Sequence, residues 1–93
     1  MNRVRTSYRI TQNVTVYREQ EEGYAQIPHT VQAGKTIFAA VADHETRKVG
    51  GVLVDVVLFT IDTEGWYWMP RVDFLGSTEK YDVKTQTGIP FQH

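Results

Sequence analysis

The sequence contains no cysteine, which excludes several classes of chemistry at once. A disulfide framework, a thiolate nucleophile and a Cys-ligated zinc site are all ruled out. Proline is also rare, with 3 residues in 93, so there is no proline-rich linker. No segment approaches the roughly 18–20 consecutive apolar residues of a membrane-spanning helix. With 41% hydrophobic and 23% charged residues, the composition is that of an ordinary globular domain.

A large charge excess of either sign is missing as well. The chain has 10 Lys+Arg and 11 Asp+Glu, which argues against a dedicated nucleic-acid-binding protein, since such proteins carry a basic excess. The charges are nevertheless segregated. The first 18 residues contain no acid and the following arginines: Arg3, Arg5, Arg9 and Arg18. Three glutamates come next: Glu19, Glu21 and Glu22. We interpret this pattern as a basic arm that leads into an acidic loop.

Strand signals are strong and closely spaced, whereas helical periodicity is weak. Segments rich in β-branched and aromatic residues alternate with turn signals, of which Gly34, Gly50-Gly51 and Gly65 are the clearest. We predict extended segments at residues 8–11, 13–18, 29–31, 35–41, 52–61, 66–69 and 72–75, with 80–84 as either a last strand or a tail. This pattern predicts an all-β fold, a small barrel or sandwich of about five to six strands. It leaves room for one short helical turn near residues 43–47.

The longest β-favouring run, residues 52–61, carries apolar side chains on both of its faces. Val56 and Leu58 are expected on one face, and Val57 and Phe59 on the other. We therefore predict a central strand. Asp55 is the exception, and it must either reach a rim or pair with a donor, because a lone buried carboxylate is costly.

The next strand contains the most informative rings. Trp66 and Trp68 should share one face, with Tyr67 and Met69 on the other. A small barrel has room in its core for one set of large rings, so the second set should lie near the surface and contact a partner. The alternative is that an indole plugs the barrel end while the other rings cover an edge. Both interpretations remain open at this stage.

Four segments together resemble a known family: residues 13–18, 29–37, 65–68 and 72–75. The chain resembles bacterial SH3-like (SH3b) domains, which are small β-barrels common in cell-wall-associated proteins. The first segment resembles the opening strand of the family and the second a Gly-Lys turn that enters the next strand. The third resembles its Gly-Trp-Tyr strand and the last its closing segment. The resemblance covers roughly residues 8–76 and implies an SH3-like barrel.

The resemblance also implies a function and a site. Family members are non-catalytic modules that bind peptidoglycan peptides or other wall polymers. By this resemblance, an aromatic groove would be formed by Tyr17, Tyr24, Trp66, Trp68 and Phe74. Asp55 and Arg71 would be its polar partners. No cofactor is implied, and the ligand would be a peptide or a peptidoglycan-type polymer.

We predict three regions: a basic N-terminal arm (1–7), an SH3-like barrel (8–84) and a flexible C-terminal tail (85–93). The basic N-terminal segment has no apolar core, so we predict no secretory signal in this chain. We expect the protein to be at the cell wall if the chain is a module of a longer exported protein, and otherwise in the cytoplasm.

Two other non-catalytic functions compete with ligand binding. The aromatic face could dock on another copy of the chain or on a neighbouring domain, which would make the protein an assembly module and a homo-oligomer. Alternatively, the N-terminal arginines together with Tyr8 and Tyr17 could bind single-stranded nucleic acid. The adjacent glutamates would cancel much of that positive field, which ranks this third.

Catalytic and metal-binding patterns are poor. Asp43, His44 and Glu45 are possible metal ligands, but neighbours in sequence do not face one point, so we predict a solvated segment without metal. Asp62 and Glu64 could serve as a glycosidase pair only inside a deep cleft, which so short a chain cannot build. We therefore predict that the protein is not an enzyme.

Overall fold

The computed structural model describes residues 4–20, 26–61 and 65–81, which form one seven-stranded antiparallel sheet and one short helix. The strands are β1 (Thr6–Ile10), β2 (Val14–Arg18), β3 (Pro28–Val31), β4 (Thr36–Val49), β5 (Val52–Thr60), β6 (Tyr67–Pro70) and β7 (Thr78–Lys80), and the helix is α1 (Arg71–Ser77). Their order across the sheet is β3-β2-β6-β5-β4-β1-β7, and the sheet curls into a half-barrel. The all-β prediction is confirmed, but the strands number seven rather than five or six.

The main core lies on one face of this sheet. It draws side chains from β1 to β6 and from α1: Ile10, Val14, Val16, Val31, Ile37, Ala39, Val57, Phe59, Met69 and Phe74. A smaller cluster lies on the opposite face and consists of Val56, Leu58 and Trp68, with Tyr17, Val49 and Trp66 packed against it. We call this second group the indole cluster. Both faces of the inner half of β5, from Val56 to Thr60, are therefore covered.

The predicted alternation in the two central strands is confirmed. Val57 and Phe59 of β5 belong to the main core, whereas Val56 and Leu58 belong to the indole cluster. In β6, Tyr67 and Met69 pack on the main core and the two tryptophans on the other face. The position of β5 in the middle of the sheet explains why both faces of its inner half, from Val56 to Thr60, are buried.

The Gly50-Gly51 signal marks a two-residue hairpin turn between β4 and β5. Val49 pairs with Val52, and both glycines have positive φ, 59° and 84°. A two-residue turn with two positive φ values matches the right-handed twist of the strands that it joins. Glycine meets this requirement without steric cost.

Replacing Gly51 with valine should destabilise the protein by about 1–2 kcal/mol, the cost of a left-handed backbone for a side chain with a Cβ atom. The space around Gly51 is open, so backbone strain alone causes this loss. Gly50→Asn is the matched control, because asparagine tolerates this conformation, and it should stay close to wild type. Urea unfolding followed by circular dichroism measures both. Equal stability of the two variants would contradict the turn geometry.

The short helical turn predicted near residues 43–47 is wrong, since these residues belong to β4. Ala40 pairs with Leu58 and Glu45 with Val56, so β4 takes five steps where β5 takes two. The three extra residues form a β-bulge, which bends a strand. Pairing with β5 on both sides of the bulge overrides the local preference for helix.

The extended segment predicted at residues 72–75 is also wrong, because it lies inside α1. Pro70 stands immediately before the helix with φ −55°, a value that proline favours and that suits the start of a helix. Phe74 and Ser77, three residues apart, are its buried side chains. The helix thus orients the Phe74 side chain towards the main core.

The ends of the chain are described only in part. β1 begins at Thr6, inside the predicted 1–7 arm, and β7 ends at Lys80, at the start of the predicted segment 80–84. The predicted tail 85–93 and most of the turn before Gly65 lie outside the described residues. Within the described ranges, no helix has the length and apolarity needed to cross a membrane.

Candidate functional site

The structure separates the aromatic residues that the sequence grouped into one groove. Trp68 is 0% exposed and Phe74 is 2% exposed, so neither ring has a face available to a ligand. Their assignment to a surface groove is therefore corrected: both are core residues, one on each side of the sheet. Tyr17 and Trp66 are half-buried. Tyr24 lies outside the described residues.

Trp68 is enclosed by its cross-strand neighbours. Its partners in the register are Tyr17 on β2 and Leu58 on β5. The Tyr17 ring stacks on the indole, with centroids 4.5 Å apart and an interplanar angle of 23°. The indole Nε1 is buried and has no hydrogen-bond acceptor among the described residues. The ring thus serves as apolar packing.

An ion pair joins the outer half of the β4–β5 hairpin to the end of β2. Arg47 donates from Nε to Glu19 Oε1 at 3.0 Å and from its terminal nitrogens to Glu19 and Glu45. The hydrogen bond to Glu19 is the largest cause of a raised pKa at Arg47. An arginine guanidinium is always protonated in proteins, so this contact is an ion pair.

This ion pair shows that the β4–β5 hairpin is bent. Arg47 lies opposite Val54, whereas Arg18, the neighbour of Glu19, lies in the cross-strand row of Phe59. A flat sheet would separate these rows by five residues of about 3.3 Å each, in addition to three strand spacings of about 4.8 Å. The contact therefore requires the hairpin to bend, at its bulge, towards the face that carries the indole cluster.

Three arginines of the basic segment lie against the protein's own rings. Arg5 is 5.8 Å from the Trp66 ring centroid, and Arg9 is 4.1 Å from that of Tyr81. Arg18 lies 5.7 Å from the Tyr67 centroid. Such contacts are cation–π interactions, which occupy ring faces that bases would need for stacking. Arg5, Arg9 and Arg18 are thus engaged within the fold.

A groove opens on the other side of the bent hairpin, between β5 and α1. It has a volume of about 380 Å³ and is lined by Leu53, Val54, Asp55, Pro70, Arg71, Val72 and Leu75. We call it the hairpin–helix groove. It brings together the two predicted polar residues, Asp55 and Arg71, but places them away from Tyr17 and Trp66. The reason is strand alternation, because Val56, next to Asp55, already faces the indole cluster.

The groove is bordered by exposed aliphatic side chains. Leu53, Val72 and Leu75 are 64%, 75% and 68% exposed. Among the described residues, the other large exposed hydrophobics are Val4, Ile27 and Val52, the last of which is next to Leu53 on the hairpin. Scattered apolar residues are normal on a surface, but a contiguous group around a concavity marks an interaction site.

The two charged residues of the groove differ in their surroundings. Arg71 donates to the carbonyl oxygens of Val41 at 3.4 Å and Asp43 at 3.1 Å, both within the bulge. It therefore fastens α1 to β4 and satisfies carbonyls that the bulge leaves unpaired in the ladder. Asp55 is exposed and makes no ion pair with any described residue. Of its two predicted alternatives, Asp55 takes the exposed rim position.

The aliphatic residues of the groove were missed by the sequence analysis. Their signal was present, since the run from residue 52 carries apolar residues on both faces over its whole length. Its outer part extends past the core, so these side chains have no cover there. Val72 and Leu75 were assigned to a strand, which concealed that a helix would present them together.

Comparisons with known proteins identify no relative. No family model, no curated protein and no solved structure matches the chain. No group of three metal-ligating side chains comes together in the described part of the chain.

Proposed function

We propose that the protein is a non-catalytic binding module of SH3-like architecture that docks an apolar segment of a polypeptide in the hairpin–helix groove. The observation that carries this proposal is the grouping of Leu53, Val72 and Leu75, each more exposed than buried, around one concavity. Covering such side chains removes apolar area from water, which contributes roughly 25 cal/mol per Å².

The fold supports the SH3-like part of the proposal. β4, β5 and β6 form an antiparallel meander. The first strand of the chain, β1, lies beside the last, β7. A short helix, α1, connects β6 to β7. The resemblance implies a small β-barrel, and a small curled antiparallel sheet supports that part of the proposal.

The chemistry of the groove favours a polypeptide over a wall glycan. Its described lining is mostly aliphatic and contains no aromatic ring that could stack on a sugar. Of the predicted groove rings, Trp68 and Phe74 are buried, and Arg5 lies over Trp66. Its ionisable lining residues are Asp55 and Arg71, and Arg71 is bound to backbone carbonyls. This set offers burial and one carboxylate, which suits binding and provides no nucleophile with an adjacent base.

A peptide library tests the proposal directly. The chain, immobilised sparsely so that copies do not meet, should retain peptides that carry aliphatic side chains. Leu53→Ser and Leu75→Ser should each weaken retention by about tenfold, because a large part of a buried aliphatic side chain contributes on the order of 1.4 kcal/mol. Fluorescence polarisation with the retained peptides measures the change.

Ile27→Ser is the matched control, since Ile27 is also exposed but does not line the groove. It should bind as the wild type does, and all three variants should keep the wild-type circular dichroism spectrum. Retention that is absent in the wild type, or equal in all variants, would contradict the proposal.

A further inference from the structure

We infer that the occupant of the hairpin–helix groove is a second copy of this chain, related by a two-fold axis. This inference rests on the proposed function of the groove and specifies its partner. A two-fold interface uses the same patch on both copies, so the patch must be complementary to itself. The charged and the apolar side chains of the groove and its border both favour such self-pairing.

The charge condition involves Lys48 and Asp55. Lys48 pairs with Leu53 in the register and Asp55 pairs with Thr46, so both charges are on the groove side of the hairpin. Both residues are exposed, and neither forms an ion pair with another described residue. The patch therefore presents one unpaired acid and one unpaired base on either side of an apolar residue.

A two-fold axis through this patch pairs the charges twice. Asp55 of one copy meets Lys48 of the other, and the same contact recurs across the axis. A ligand of one charge sign would satisfy only one of the two residues. Self-pairing satisfies both, and this complementarity identifies a second copy as the partner.

The apolar condition involves both walls of the groove. Val72 and Leu75 project from α1, and Leu53 projects from β5, with the concavity between them. In the two-fold arrangement, α1 of each copy enters the groove of the other. The formal net charge of −1 gives two copies little long-range repulsion.

Charge exchange provides the sharpest experiment, with the dimer dissociation constant measured by analytical ultracentrifugation. Asp55→Lys places two lysines opposite each other, and Lys48→Asp places two carboxylates opposite each other. Each variant alone should dimerise about tenfold more weakly than the wild type, since two unfavourable contacts replace two favourable ones. The double variant Asp55→Lys/Lys48→Asp should recover the wild-type affinity.

A mixture of the two single variants adds a second readout. Opposite charges then face each other at both contacts, so the mixture should form heterodimers more tightly than either variant forms homodimers. Glu79→Lys is the matched control, because it makes the same charge change at an exposed site on β7 that does not line the groove. It should dimerise as the wild type does.

The outcomes separate this inference from the proposed function. A wild type that stays monomeric while the groove retains library peptides overturns the second copy and leaves the binding module standing. A monomer that retains no peptide overturns both. A dimer that is insensitive to Leu75→Ser and to both charge variants places the interface elsewhere and overturns the inference.

Discussion

Trp68→Ala should lower the free energy of unfolding by about 3–5 kcal/mol, the cost of truncating a fully enclosed aromatic ring. The indole is 0% exposed and packs between Val56 and Leu58, with Tyr17 stacked on it. The substitution removes the buried area and the stacking, and it leaves a cavity under the bent hairpin. A domain of this size has roughly 5–15 kcal/mol of stability in total, so the variant should be close to unfolding.

Two substitutions test the reason for this loss. Trp68→Phe keeps a ring and removes the Nε1 donor, which has no acceptor among the described residues, so it should cost clearly less than alanine. Trp66→Ala removes a half-buried indole at the edge of the same cluster and should also cost less. Far-UV circular dichroism is the appropriate probe in urea, because these variants change the tryptophan fluorescence itself. A Trp68→Ala midpoint equal to that of the wild type would show that the ring is not enclosed.

Phe74→Ala should cost a similar amount, about 3–5 kcal/mol. Phe74 is the buried apolar side chain of α1, and its ring meets Tyr8 edge-to-face with centroids 4.9 Å apart. Losing the ring removes core packing and an aromatic pair worth about 0.5–1.5 kcal/mol. It also removes the anchor that holds α1 at one wall of the hairpin–helix groove.

The neighbouring residue is a close control for Phe74. Leu75 is 68% exposed, so Leu75→Ala should change stability by less than about 0.5 kcal/mol. Thermal unfolding of the two variants gives the comparison directly. If both substitutions cost the same, the orientation of α1 is different from the one described.

The parts of the fold that the sequence predicted correctly are β-favouring runs whose apolar side chains divide between the two clusters on opposite faces of the sheet. Residues 52–61 and 66–69 lie in the middle of the sheet, so their side chains follow the period of two that a strand imposes. The Gly50-Gly51 turn was equally visible, because few residues other than glycine adopt its backbone conformation.

The two errors in secondary structure, at residues 43–47 and 72–75, have a common physical origin. In both segments, contacts with residues distant in sequence decide the structure. Residues 43–47 carry polar side chains on both faces, so no alternation indicated a strand, and pairing with β5 made them one. In α1, seven residues are too few to display a helical period, and Val72 and Phe74 favour strands by composition. The helix forms because Phe74 reaches the main core from it.

The candidate site was predicted only in fragments. Asp55 and Arg71 do line one groove, but the rings grouped with them divide between two clusters and the protein surface. Composition alone could not distinguish rings that recognise a partner from rings that close a small core. The bend of the hairpin decides this, since it covers Trp68 on one side and opens the groove on the other.

The bulge in β4 has a consequence for related chains of different length. Removing all three extra residues would still allow Ala40 and Glu45 to pair with Leu58 and Val56 as a regular ladder, with each side chain on its present face. Only the change of direction would be lost, and Arg47 would no longer reach Glu19. The insertion therefore encodes where the hairpin points and contributes nothing to which residues it pairs.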